Sequence, residues 1–466
     1  LVPKIGAESF QNDVLRQLGS LGEQACQVMA AAINAVDPYA CVRSHLDLSG
    51  TTLIIDHTQI NLDEIGRIFL LGLGKASVPM AMAVLDSLGD KVDSAMVVTK
   101  DKKFLAQNGY RDKLVVYQGA HPVPDERSIA STKAVLNQLP QLNADDLVIV
   151  VISGGGSALF TDPIEGVSLE DLQELTTLLL RSGADIQEIN TIRKHLDRVK
   201  GGRLSALLAP AQIQTLILSD VIGDDLDMIA SGPTVADLTT YADAWGIVQK
   251  YGLADAVPIS VKTALTKGLE GELPETVKPS QMEELRTQNH LVGTNHLAAE
   301  AAQARAEELG FETRILTTTL TGLTEEVASN FADLVEEMMA KREKCDTPLC
   351  LIMGGETTVN VSGDGLGGRN QDLAVRMAPV LAGKPGVLFI SLATDGEDGP
   401  TDAAGGVMTG DVMREGIEGQ GLDVAAYIAN SDAYHYLKKT GALIKIGATG
   451  TNVNDLMLMF FDKNID

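Results

Sequence analysis

Short, unbroken apolar runs alternate along this chain with amphipathic, helix-patterned segments. RIFLLGLG (67–74), SAMVVTK (94–100), KLVVYQGA (113–120), LVIVVISGG (147–155) and QTLILSDV (214–221) belong to this series. HLVGT (290–294), TRILT (313–317), PLCLIMGG (348–355), GVLFISLATDG (386–396) and ALIKIGATG (442–450) continue it. Runs of this length without polar alternation suit strands buried on both faces. Patterns such as SVPMAMAVLDSLGD and LAAEAAQARAEELG between them read as helices. Strand–helix alternation predicts α/β architecture with parallel sheets.

The segment 255–290 breaks the pattern, with Pro258, Pro274 and Pro279 among charged residues. It reads as a connector, which divides the chain into an α/β domain over 1–270 and a second over 285–466. At 466 residues there is length for two substantial cores. The apolar runs are too short to cross a membrane. The net charge of −26 disfavours nucleic acid and anionic membranes and makes any local cluster of cations informative. The first twenty residues lack a signal peptide's apolar core. Cys26, Cys41, Cys345 and Cys350 are too scattered for a disulfide framework or a zinc site. A cytoplasmic protein is expected.

Ligands of open α/β sheets bind beyond the carboxyl ends of the strands, so the strand tails carry the functional information. After LVIVVI comes Ser153-Gly154-Gly155-Gly156-Ser157, either a tight turn or a set of N–H groups facing an anion. In LLGLGKAS, Lys75 opens a helix after Gly72 and Gly74. Phe69 excludes a Walker A loop, and Ser77 leaves the dinucleotide fingerprint incomplete. LILSDVIGDD places Asp220 at a strand end, suited to Mg²⁺ or to a general base. Further on, GGETTVNVSGDGLGGRNQD sets Arg369 between a glycine-rich loop and a helix. ATDGEDGPTDAAGG sets Asp395, Asp398 and Asp402 in another loop, without EF-hand spacing.

EINTIRKHLDRVKGGRLS gathers Arg193, Lys194, Arg198, Lys200 and Arg203 against the acidic background. Ile189, Ile192, Leu196 and Val199 form an apolar stripe on helical spacing. Arg193 and Lys200 lie beside that stripe and are placed to look into a groove, whereas Arg198 reads as exposed and His195 as a packed histidine. Glycine turns that bind anions, dispersed cations and strand-end carboxylates are what phosphoryl transfer requires.

These motifs, with GAHPVPDERS, ASGPT and GATGTNVND, resemble the glycerate 2-kinase family, whose members carry a C-terminal MOFRL domain. The resemblance runs in order from about residue 10 to about 461. It implies a Rossmann-like N-terminal α/β domain and a C-terminal MOFRL α/β domain, with the active site in the cleft between them. It also implies ATP- and Mg²⁺-dependent phosphorylation of D-glycerate at its 2-hydroxyl. By the matching motifs, Lys75 and Arg369 stabilise the transferring phosphoryl group and Asp220 is the acidic residue, as base or metal ligand. Ser153, Gly154, Gly155, Gly156, Ser157, Arg193 and Lys200 are expected to hold the substrate anion. Gly72, Gly74, Glu356, Asn370 and Asp395 complete the expected nucleotide contacts, with Asp395 a second metal candidate. Loss of Lys75 or Arg369 is expected to lower turnover while leaving the fold intact. Small-molecule substrates are the expected partners, and a homo-oligomer is compatible with the reading. The alternatives are an NAD(P)H-dependent hydroxypyruvate reductase and a non-catalytic sugar-phosphate or nucleotide sensor.

Overall fold

The computed structural model describes residues 4–342 and 347–463, so Cys345 lies outside the described residues. The chain forms two compact units.

The first unit, Pro38–Val292, begins with a small antiparallel sheet of β1 (Leu46–Ser49), β2 (Thr52–Ile55) and β3 (Thr58–Asn61). Its main sheet contains β4 (Ile68–Leu73), β5 (Ser94–Thr99), β6 (Leu114–Gln118), β7 (Leu147–Ile152), β8 (Gln212–Leu218) and β9 (Thr287–Gly293). The order is β6-β5-β4-β7-β8-β9, and the four pairings from β6 to β8 are all parallel. Every residue of β4 and β7 is buried, as their unbroken apolar sequences require. Phe69, Leu71, Leu73, Val148, Val150 and Ile152 supply one face of the core. Burial of each such side chain contributes about 1.5–3 kcal/mol before entropy is counted.

The expected connector at 255–290 is instead part of this unit. The helix Ile259–Leu269 buries Val261, Ala264 and Leu265 and packs against the helices Tyr241–Lys250 and Leu169–Arg181. Pro258 and Pro279 stand at helix starts, where a missing N–H costs nothing, so they punctuate structure rather than mark a linker. HLVGT belongs to β9 at the edge of the first sheet, not to a new domain.

The second unit joins the segment ending at Asp37 to the segment from Gly293 onward. The expected division at 1–270 and 285–466 is therefore corrected at both ends. The helix Ser20–Ala35 buries Ala25, Val28, Met29, Ala32 and Ile33 and packs on the helix Asn295–Glu308. The latter presents Ala298, Ala299, Ala302 and Ala306, small residues that allow close approach. The sheet contains β10 (Glu312–Leu320), β11 (Leu349–Gly355), β12 (Val387–Ala393), β13 (Gly405–Met408), β14 (Leu443–Ile444) and β15 (Asp455–Phe461). Its order is β10-β11-β15-β12-β13-β14. Only β10 and β11 are parallel neighbours; β15 runs antiparallel to both β11 and β12. The expectation of a parallel sheet fails here because the last strand returns through the middle, and apolar runs alone do not encode direction.

Candidate active site

In the first sheet the chain leaves β4 toward β5 and β6, then returns to build β7 and β8 on the opposite side. The carboxyl ends of β4 and β7 thus flank a topological switch point, where such sheets bind ligands. The loop after β4 carries Gly74 and Lys75, that after β7 Ser153–Ser157, and that after β8 Ser219 and Asp220.

These loops are stitched together by backbone. Lys75 N donates to Gly154 O at 2.9 Å, and Ser153 N donates to Leu73 O at 3.0 Å. The Ser153 hydroxyl accepts from Ala76 N at 2.9 Å. Such contacts leave no room for side chains. A Cβ on Gly74 would sit 2.3 Å from Ser153 Oγ, and one on Gly154 2.0 Å from Asp220 Oδ2. A Cβ on Gly155 would sit 2.9 Å from His121 Cδ2 and 3.2 Å from Lys75 Cε, and Gly155 also has φ of +82°. The consecutive glycines therefore bring one stretch of backbone against an aspartate on one side and a lysine and a histidine on the other.

Burial pushes the Asp220 carboxyl above the usual carboxylate range, and the nearby Lys75 ammonium opposes this. His121 is pushed down to about 4, by burial first and then by the charges of Lys75 and Lys100. Ser157 Oγ lies 2.7 Å from Ser231 Oγ, which donates to Asn190 Oδ1 at 3.2 Å. Arg193 is one helical turn beyond Asn190, on the same face. It is half-buried, burial pushes its guanidinium below the ordinary value, and among the described residues no carboxylate pairs with it.

A second polar centre lies in the second unit, at the carboxyl ends of β11 and β12. Arg369 opens the helix Arg369–Leu381 and grips Asp455 with two bonds, Nε to Oδ2 at 2.5 Å and Nη2 to Oδ1 at 3.0 Å. Its Nη1 lies 2.6 Å from Glu356 Oε1. Burial alone would lower the Arg369 guanidinium, but Asp455 and then Glu356 hold it above its ordinary value. Asp455 is fully buried at the start of β15, and burial raises its carboxyl against the pull of Arg369. Asp398 accepts from Asn370 N at 3.2 Å and Gln371 N at 2.9 Å, closing the start of the same helix. Burial pushes it up to about 6. Asp395 is partly exposed, and its Oδ1 accepts from Glu397 N at 3.0 Å.

Several sequence expectations change. Lys200 does not look into a groove: the helix ends at His195, and Lys200 is buried 2.6 Å from Asp197 Oδ2. The Ser153 hydroxyl serves the loop backbone, and the Asn370 side chain is buried between Asp398 and Ser391, so neither is presented to a ligand. Gly72 lies inside β4, where a Cβ would meet Val97 and Val151; packing accounts for it, as the contact with Ser153 accounts for Gly74. Arg198 is exposed and paired with Asp162, and His195 is buried against Thr191 O, both as expected. Among the described residues no group of three or more His, Cys, Asp or Glu is arranged to hold a metal. His121, Ser231, Asn190 and Asp455 were not singled out in the sequence, although GAHPVPDERS, ASGPT, EINTIRKHLDRVKGGRLS and GATGTNVND contain them.

Together, these observations define a two-unit α/β protein whose first sheet gathers a lysine, an aspartate and a glycine turn at its switch point. Comparison with known proteins is specific. A family model described as "Domain of unknown function (DUF4147)" matches residues 24–266, and the MOFRL family model matches 349–455. The D-glycerate 2-kinase of Thermotoga maritima is 43% identical over 94% of this chain and 98% of its own length. The glycerate 2-kinase of Pyrococcus horikoshii is 40% identical over 94% and 96%. A solved structure of glycerate kinase from Thermotoga maritima superposes with a TM-score of 0.82 at 41% identity, covering 95% of this chain and 99% of that one. This chain belongs to the glycerate kinase family with a C-terminal MOFRL domain.

Proposed function

We infer that this chain transfers the γ-phosphoryl group of ATP to the 2-hydroxyl of D-glycerate, giving 2-phosphoglycerate and ADP. The observation that carries the chemistry is the meeting of Lys75 and Asp220 on the Gly154–Gly155 backbone at the switch point. In this reading the backbone N–H groups of the glycine turn, the Ser157 hydroxyl and Arg193 hold the glycerate carboxylate. Asp220 orients the 2-hydroxyl and takes its proton; a carboxyl raised by burial is a better base than a free one. Lys75 neutralises charge on the moving phosphoryl group.

In the second unit, Arg369 contacts a nucleotide phosphate through Nη1, the nitrogen that faces the more exposed Glu356 rather than the buried Asp455. Mg²⁺ is held in such sites by one or two carboxylates plus substrate phosphates, not by an all-protein cage. Asp395, partly exposed in the second unit, fits that mode, and the ion would supply charge neutralisation on the phosphates. A cytoplasmic setting accords with the buried thiols of Cys26 and Cys350.

The test is ADP release from ATP and D-glycerate, with phosphorus NMR of the product. A 2-phosphate resonance that vanishes on chelation of Mg²⁺ is expected. NADH oxidation with hydroxypyruvate in the absence of ATP would instead establish the reductase, and inactivity in both assays would leave only the sensor.

A further inference from the structure

His121 follows β6, and its ring lies over Gly155 beside Lys75. Its two nitrogens have different surroundings. Nδ1 is buried and meets no hydrogen-bond partner among the described residues. Nε2 lies on the edge that faces Gly155 and Lys75, 3.2 Å from the point where a Gly155 Cβ would stand. A neutral imidazole carries one proton, and the tautomer follows from what each nitrogen can meet. A buried N–H without an acceptor is rarer and costlier than a buried lone pair without a donor. The proton therefore belongs on Nε2. Protonation of both nitrogens is opposed by burial and by Lys75, so the ring stays neutral near pH 7.

We propose that His121 is a further substrate-contacting residue, whose neutral Nε2–H, seated over Gly155 beside Lys75, donates a hydrogen bond to an oxygen of the phosphoryl group that Lys75 neutralises. This rests on the kinase reading above. The arrangement pairs a charged donor with an uncharged one on the same oxygens. The neutral donor adds directional hydrogen bonding without drawing the nucleotide's ground state into a deeper electrostatic well.

The full chain is compared with His121→Ala, His121→Phe and His121→Gln. Gln places an N–H near the Nε2 position, whereas Ala and Phe have none. Expected is a fall in kcat of about 100-fold for Ala and Phe, with KM for ATP and D-glycerate nearly unchanged, and substantial recovery in Gln. Nitrogen-15 NMR of labelled histidine supplies a readout independent of turnover. At pH 7 the His121 signals should be those of a neutral ring protonated on Nε2, and the Nε2 signal should shift with ATP bound. Wild-type kcat in His121→Ala, or a ring protonated on Nδ1 or on both nitrogens, overturns the proposal. Should the wild-type chain release no ADP from ATP and D-glycerate, the kinase reading fails by itself, while the tautomer and its response to ATP still decide the role of His121.

Discussion

Replacing Arg369 by alanine removes the bonded partner of Asp455, a carboxylate with no exposure to water. Breaking a buried pair by deleting one member costs about 3–5 kcal/mol, because the remaining charge is stranded. At roughly 2–4 °C per kcal/mol for units of 150–250 residues, Tm should fall by about 6–20 °C. The loss should depend on pH in a known direction. Burial already raises the Asp455 carboxyl, and without Arg369 nothing of comparable strength opposes that shift. A carboxyl whose native pKa exceeds its unfolded pKa lends stability below the unfolded value and loses it as pH rises through the native one. Arg369→Ala should therefore lie closer to wild type at pH 5 than at pH 8, by calorimetry or urea melts. Asp455→Asn in the same background should restore much of the loss at pH 8. A single variant that melts within about 1 °C of wild type at pH 8 would refute the reasoning. The expectation that Arg369→Ala leaves the fold intact is thus revised, and Arg369→Lys, which keeps a charge beside Asp455, is the better probe of turnover.

Lys75→Ala should lower kcat about 100-fold with unchanged circular dichroism, and Tm should fall only slightly, because Asp220 loses the nearby ammonium that opposes its burial. Gly155→Ala should displace His121 and Lys75 and force an L-residue to positive φ, costing about 1–3 kcal/mol in urea melts and most of the ADP-release rate. Asp398, near 3.9 unfolded and about 6 folded, should lose roughly 2–3 kcal/mol of its contribution as pH rises from 4 to 7. Asp398→Asn should remove that part of the slope, whatever it costs in lost capping bonds. Lys200→Ala should lower Tm through stranded Asp197, and a change confined to the KM for glycerate would contradict its buried placement.

What could be read in the sequence was local. The runs at 67–74 and 147–155 place Lys75 and the glycine turn at strand ends because apolar length and glycine act within a few residues. Asp220 was legible for the same reason. Lys200 was misread because the helix ends at His195, and the turn that follows, in which Asp197 accepts from Val199 N, brings Lys200 inward onto Asp197. Asp455 and His121 depend on neighbours remote in sequence: Asp455 meets Arg369 across 86 positions, and His121 meets Gly155 only through sheet order. The prolines at 258 and 279 pointed to a linker because proline is equally at home in a loop and at a helix start.

The first unit is an insertion within the second, which holds the chain on both sides of Pro38–Val292. A ribosome makes the helix Ser20–Ala35 long before the alanine-faced helix Asn295–Glu308 that covers it. Val28, Met29 and Ile33 are therefore made well before the helix that packs on theirs, with the whole inserted unit in between. Cut at these two seams, the gene should yield a self-sufficient inner piece, while the outer piece needs both of its ends to complete its helical layer.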